Sequence, residues 1–90
     1  MLTWDERKRQ ANIAKHGIDF ADCEPVFCSP LVTQEDNRAD YGEQRLQSLG
    51  LLNDVVVFLC WVEREQGPHL ISIRKAKKHE RATYCKSIGY

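Results

Sequence analysis

The stretch Val55-Val-Val-Phe-Leu-Cys-Trp-Val62 decides the fold. It is apolar at odd and even positions alike, so a strand here has two faces that both need covering and belongs at the centre of a sheet. Arg64-Glu-Gln-Gly-Pro68 comes next with turn chemistry, and His69 to Lys75 alternates as a returning antiparallel strand. Upstream, Tyr41 to Leu49 reads as a second, half-exposed strand. Leu31 to Gln34 reads as a weak one, with a polar turn around Glu35 to Ala39 between them.

Helices flank these strands. Thr3-x-x-Glu6 has the spacing of a capping box and predicts a first helix, stopped by Gly17 just after His16. A second short helix is expected from Asp19, carrying Phe20, Cys23 and Phe27 inward, with Pro25 kinking or shortening it. Ala76 to Ile88 is the closing helix. The expected class is therefore α+β: two N-terminal helices, a sheet of three to four antiparallel strands, and a C-terminal helix, in one domain over residues 1–90.

Composition narrows the function. Of the 90 residues 42% are hydrophobic and 29% charged, as in ordinary globular proteins. No run of about 18 apolar residues exists and Met1 to Gln10 is polar, so a cytoplasmic protein without a membrane partner is expected. The cysteines Cys23, Cys28, Cys60 and Cys85 have no zinc-ligand spacing and are expected to be reduced structural thiols. Net charge is zero, yet seven acidic residues against one basic lie between Asp19 and Glu43, and six basic against one acidic between Arg74 and Lys86. Such polarity can build a local phosphate-binding face, or can be no more than a solvated helix surface.

Three blocks of residues carry a resemblance. They are Trp4-Asp5-Glu6, Lys8, Asn12, Lys15-His16-Gly17 and Phe20; then Tyr41-Gly42-Glu43, Arg45 and Gly50; then Ile71-Ser72, Arg74-Lys75-Ala76, Glu80-Arg81 and Tyr84. In this order and spacing they resemble the BrnT family across nearly the whole chain. The resemblance implies a RelE-like fold, ribonuclease activity that blocks translation, and neutralisation by a BrnA-type antitoxin, through which alone operator DNA would be bound. Two positions depart from the family pattern: His69 stands where arginine is usual, and Pro25 interrupts a helix. The first bears on RNA affinity or substrate choice, the second on local geometry.

Metal-free RNA cleavage needs the 2′-hydroxyl deprotonated, the phosphorane's charge stabilised and the leaving 5′-oxygen protonated. Fixed cations aimed at the phosphoryl oxygens contribute most. Nothing in the sequence has the spacing of a carboxylate metal site, and no cofactor is expected. Arg64, Arg74 and Arg81 lead as phosphate-stabilising residues, because the guanidinium fork matches phosphate oxygens. Alternation sets Arg74 with Ser72 on one strand face, with Ile71 and Ile73 on the other. Lys77, Arg81, Tyr84 and Ile88 share a helical face, so Arg81 and Tyr84 can project together; an ion pair of Arg81 with Glu80 or an acidic helix is the alternative.

His16 has a suitable proton affinity for general acid–base work, or else complements the end of its helix. His69 and His79 are weaker candidates. Glu43 and Arg45 alternate on a strand, and Glu43 is either general base or, as we favour, the orienter of an arginine. Lys8, Lys15, Lys75 and Lys77 are candidate RNA-backbone contacts, a solvated helix face being the alternative for Lys8 and Lys15. Trp4, Trp61 and Tyr84 are candidate stacking platforms, Trp61 being the one better suited to the core. A catalytically inert protein of the same fold, acting as antitoxin partner and operon co-repressor, is the alternative to an endoribonuclease.

Overall fold

A computed structural model describes residues 1–89. The chain runs β1 (Thr3–Trp4), α1 (Glu6–His16), two 3-10 turns (Phe20–Asp22 and Glu24–Cys28), β2 (Val32–Glu35), β3 (Leu46–Leu52), β4 (Val55–Arg64), β5 (Gly67–Lys75) and α2 (Lys78–Ile88). The strands form one sheet in the order β1-β5-β4-β3-β2. All pairs are antiparallel except β1 with β5, which is parallel. The α+β expectation holds, with β4 at the centre, but the sheet has five strands. Two residues of β1 carry no readable period, which is why sequence alone leaves them out.

Other boundaries differ for local reasons. The cap of α1 is Asp5, not Thr3: its carboxylate accepts from the amides of Arg7 and Lys8 at 2.8 and 3.3 Å. Gly17 does end the helix, in the left-handed conformation at φ 70°. The second helix is instead two 3-10 turns, with Pro25 at the start of the latter, where its missing N–H costs nothing. β3 begins at Leu46, so Glu43 and Arg45 lie in a connection rather than alternating along a strand. Asn53 and Asp54, both at positive φ, make the tight β3–β4 turn. The α2 helix begins two residues later than expected, with Glu80 accepting from the Lys77 amide at 2.7 Å.

Two cores form, one on each side of the sheet. Phe20, Cys23 and Val26 from the 3-10 turns pack with Leu2, Leu52, Val57, Leu59, Leu70 and Ile73 on the first face. Gly50 sits beneath this layer: a side chain there would meet Leu31, Val26 and Ser29 at 2.8 to 3.2 Å. The second cluster, Leu49, Val56, Ala76 and Tyr84 with Phe58 and Ile88 beside it, is smaller and lies under α2. All four cysteines are free thiols, and burial pushes Cys23 up to about 12.

A bulge in β5 decides which of its side chains share a face. Cys60 pairs with Ser72 while Trp61 pairs with Leu70, which leaves Ile71 without a partner. Leu70 and Ile73, three residues apart, consequently enter the same core. His69 is thereby turned onto the face that carries Ser72 and Arg74, where unbroken alternation would have put it opposite them.

Candidate active site

Helix α2 covers only one end of the second face, and the charged residues gather on the rest of it. At the hairpin end, Arg64 donates to Glu43 at 3.2 Å across the connection before β3. Both are exposed, so this pair orients its members more than it stabilises the fold. Next to it His69 shares a 2.8 Å hydrogen bond with the Thr3 hydroxyl, either group being the possible donor. Its protonation is disfavoured, first by burial and then by the charges of Arg64 and Lys8, with Glu43 and Asp5 acting in the opposite sense.

Along α1, the side facing β5 carries Lys8, Asn12, Lys15 and His16, which with Ile71 and Ser72 line a shallow groove of about 190 Å³. Asn12 is what holds α1 there. It is buried, accepts from the Ile73 amide at 3.0 Å and donates to the Ile18 carbonyl at 3.0 Å. It thereby satisfies the sheet-edge amide that β1 is too short to reach.

Arg74 marks the third position. Its guanidinium lies 4.4 Å over the Phe58 ring and donates two bonds to Glu80, at 2.8 and 3.0 Å. This arginine holds the Glu80 carboxyl down at about 2, well below the usual carboxylate range. The ion pair considered for Arg81 thus belongs to Arg74, while Arg81 donates to the Ala76 carbonyl at 3.0 Å. Lys75 and Lys77 are exposed beside it.

Tyr84 is a correction. It is fully buried and its hydroxyl donates to the Pro30 carbonyl at 2.7 Å, so it belongs to the core and does not project with Arg81. Trp61 is likewise a packing residue, edge-on to Phe27 at 5.2 Å with its indole N–H on Ser48. Trp4 packs against the first core and is not an open platform.

Further along the same face, Asp36 is buried and accepts two bonds from the Arg38 guanidinium and one from its amide, which keep its carboxyl at about 2. Arg45 stacks 4.0 Å over Tyr41 there. The structure therefore brings Arg64, Glu43 and His69 together, groups Lys8, Lys15 and His16, and sets Arg74 two residues along β5 from the groove. Alternation groups His69 with Ile71, whereas the bulge sets it with Ser72 and Arg74; Asn12, read from the sequence as structural, is the clamp of α1, and the contact of Phe58 with Arg74 has no signal in the sequence. The apolar spacing Leu70-x-x-Ile73 inside a strand was the signal for the bulge.

Among the described residues no group of three or more His, Cys, Asp or Glu is placed to hold a metal ion. No described helix is long and apolar enough to cross a membrane.

Comparison with known proteins adds a family. The profile described as the ribonuclease toxin BrnT of type II toxin–antitoxin systems matches residues 4–80. Among solved structures, the ribonuclease toxin BrnT of Brucella abortus superposes with a TM-score of 0.63 at 33% identity, over 86% of this chain and 96% of that one. Among curated proteins nothing matches.

Proposed function

The chain belongs to the BrnT family of ribonuclease toxins of type II toxin–antitoxin systems, and from that premise we propose that it cuts RNA without a metal ion on the open part of the second sheet face. The observation that carries this reading is the β5 bulge, which lines up His69, Ser72 and Arg74 on one face beside the α1 groove. Arg74 and Arg64, six β4 positions apart in register, bind two separated phosphates of the RNA, and fixed charge is worth most where the phosphorane forms. Lys8, Lys15, Lys75 and Lys77 hold flanking phosphates, with Arg81 at the α2 end.

Proton transfer falls to the histidines. Lowered basicity suits His69 to accept the 2′-hydroxyl proton in its neutral form, and His16 across the groove is the candidate donor to the leaving oxygen. Glu43 orients Arg64, in keeping with their contact. Cutting messenger RNA in this way blocks translation. The cognate partner is a BrnA-type antitoxin that covers the same face and carries the complex to operator DNA.

End-group analysis of cleaved RNA tests the chemistry. Attack by the 2′-hydroxyl leaves a 2′,3′-cyclic or 3′-phosphate and a 5′-hydroxyl; a 5′-phosphate and 3′-hydroxyl would contradict it. Binding of antitoxin without any RNA cleavage would instead support an inert co-repressor.

A further inference from the structure

We propose that the cleft between α2 and the β2–β3–β4 surface is a subsite for one unpaired nucleobase of the RNA, beside the phosphate position at Arg74. The proposal rests on the ribonuclease reading and extends it to substrate choice. The cleft has a volume of about 290 Å³ and is lined by Gln34, Gln47, Phe58, His79, Glu80 and Thr83, among others. That is at the small end of the roughly 300–1,000 Å³ that holds a drug-sized ligand, and suits a single base better than a run of nucleotides.

Two residues join the cleft to the phosphate position. Phe58 lines it and carries the Arg74 guanidinium over its ring, and Glu80 lines it and holds the same guanidinium by two bonds. A nucleotide whose phosphate sits on Arg74 therefore has its base next to the opening.

The lining selects the kind of occupant. Among the described residues no lysine or arginine lines the cleft, and the Glu80 carboxylate repels a phosphate there. Gln34 and Gln47 are cross-strand partners whose amides bond each other at 3.0 Å. That single bond leaves the pair a free acceptor and a free donor, the complement of a base edge. The Thr83 hydroxyl already donates to the His79 carbonyl, so toward the cleft its oxygen accepts. An apolar antitoxin side chain would bury these groups without partners, whereas a base satisfies them. Bases splayed out of single-stranded RNA are recognised by such an aromatic wall and hydrogen-bonding rim.

Two measurements test the proposal together. Purified protein and its Gln34→Ala/Gln47→Ala and Thr83→Val variants are given a randomised RNA pool, and the cut sites are sequenced. The readout is the ratio among bases at each position, not the rate. The wild-type base preference at one position near the cut should fall by about tenfold or more in the double variant. A preference that persists in both variants overturns the proposal. So does antitoxin affinity lost in the variants with preference intact, which assigns the cleft to the antitoxin.

In parallel, the side-chain amide resonances of Gln34 and Gln47 are followed while uncleavable 2′-O-methyl trinucleotides are added, carrying each base or an abasic centre. Base-dependent shifts support the subsite even if wild-type protein cuts nothing, in which case only the ribonuclease reading fails. Equal shifts with the abasic trinucleotide overturn the subsite whatever the cleavage result.

Discussion

The two faces of the sheet are made by the same strands and differ in what covers them. On the first, the 3-10 turns and the residues around β1 close the surface with Phe20, Cys23 and Val26, each fully buried. On the second, α2 seals the end around Tyr84 and the segment before β3 helps bury Asp36, Cys60 and Val62, while the rest presents Arg64, His69, Ser72 and Arg74 with charged partners from the loops and α1. Stability is concentrated on the closed face. The open face keeps charges that, in the proposed reading, exchange with those of the RNA.

The sharpest way to break this contrast is to open the closed face. Phe20→Ala should cost about 3–5 kcal/mol of unfolding free energy, read from urea denaturation. A loss under about 1 kcal/mol would mean that this face does not hold the fold together.

Arg74 and Arg64 sharpen the comparison within the open face. Arg74 leaves 27% of its side chain exposed and Glu80 only 14%, so Arg74→Ala strands a mostly buried carboxylate and should cost about 1–3 kcal/mol. Arg64 and Glu43 are exposed at 43% and 40%, and Arg64→Ala should cost well under about 1 kcal/mol. Equal losses in the two variants would erase the distinction between a half-buried and an exposed ion pair.

The acid limb separates them further. Glu80 is held at about 2 by Arg74, below its ordinary value of 4.5. The folded state thus releases this proton more readily than the unfolded one, and the resulting stability is present above about pH 4.5 and lost as pH falls toward 2. In Arg74→Ala the carboxyl should return toward its ordinary range, seen by NMR titration of the Glu80 side chain. An unmoved Glu80 would mean that another group holds it down.

The same contrast separates what is legible in the sequence from what is not. The apolar run Val55 to Val62 announces the centre of the sheet because both its faces are buried, while Arg64, Arg74 and Glu43 are proposed for the site from their chemistry. The face on which His69 lies cannot be read by alternation, because one unpaired residue, Ile71, reverses it. Tyr84 shares its helical side with Arg81 in projection, yet the phenol turns inward to Pro30, a tertiary contact that helical spacing does not encode. Thr3 has the spacing of a cap for the Glu6 amide yet is a strand residue, because the helix starts only after Asp5, whose carboxylate accepts from the Arg7 and Lys8 amides instead.

Association tests the edge of the open face. Lys77→Glu with Arg81→Glu should weaken antitoxin binding by about tenfold and flatten its salt dependence, because charges at the edge of a complex act mainly on encounter. Unchanged affinity and salt dependence would place the antitoxin elsewhere on the toxin.

The most direct test of the open face as the cutting surface is the cleavage rate of wild type, Arg64→Ala and Arg74→Ala on one RNA, with a metal chelator present throughout. Undiminished cutting by the wild type is predicted, with a loss of about 10²–10³-fold in each variant at temperatures where all three remain folded. Full loss of wild-type activity on chelation, or unchanged rates in both variants, would contradict the account.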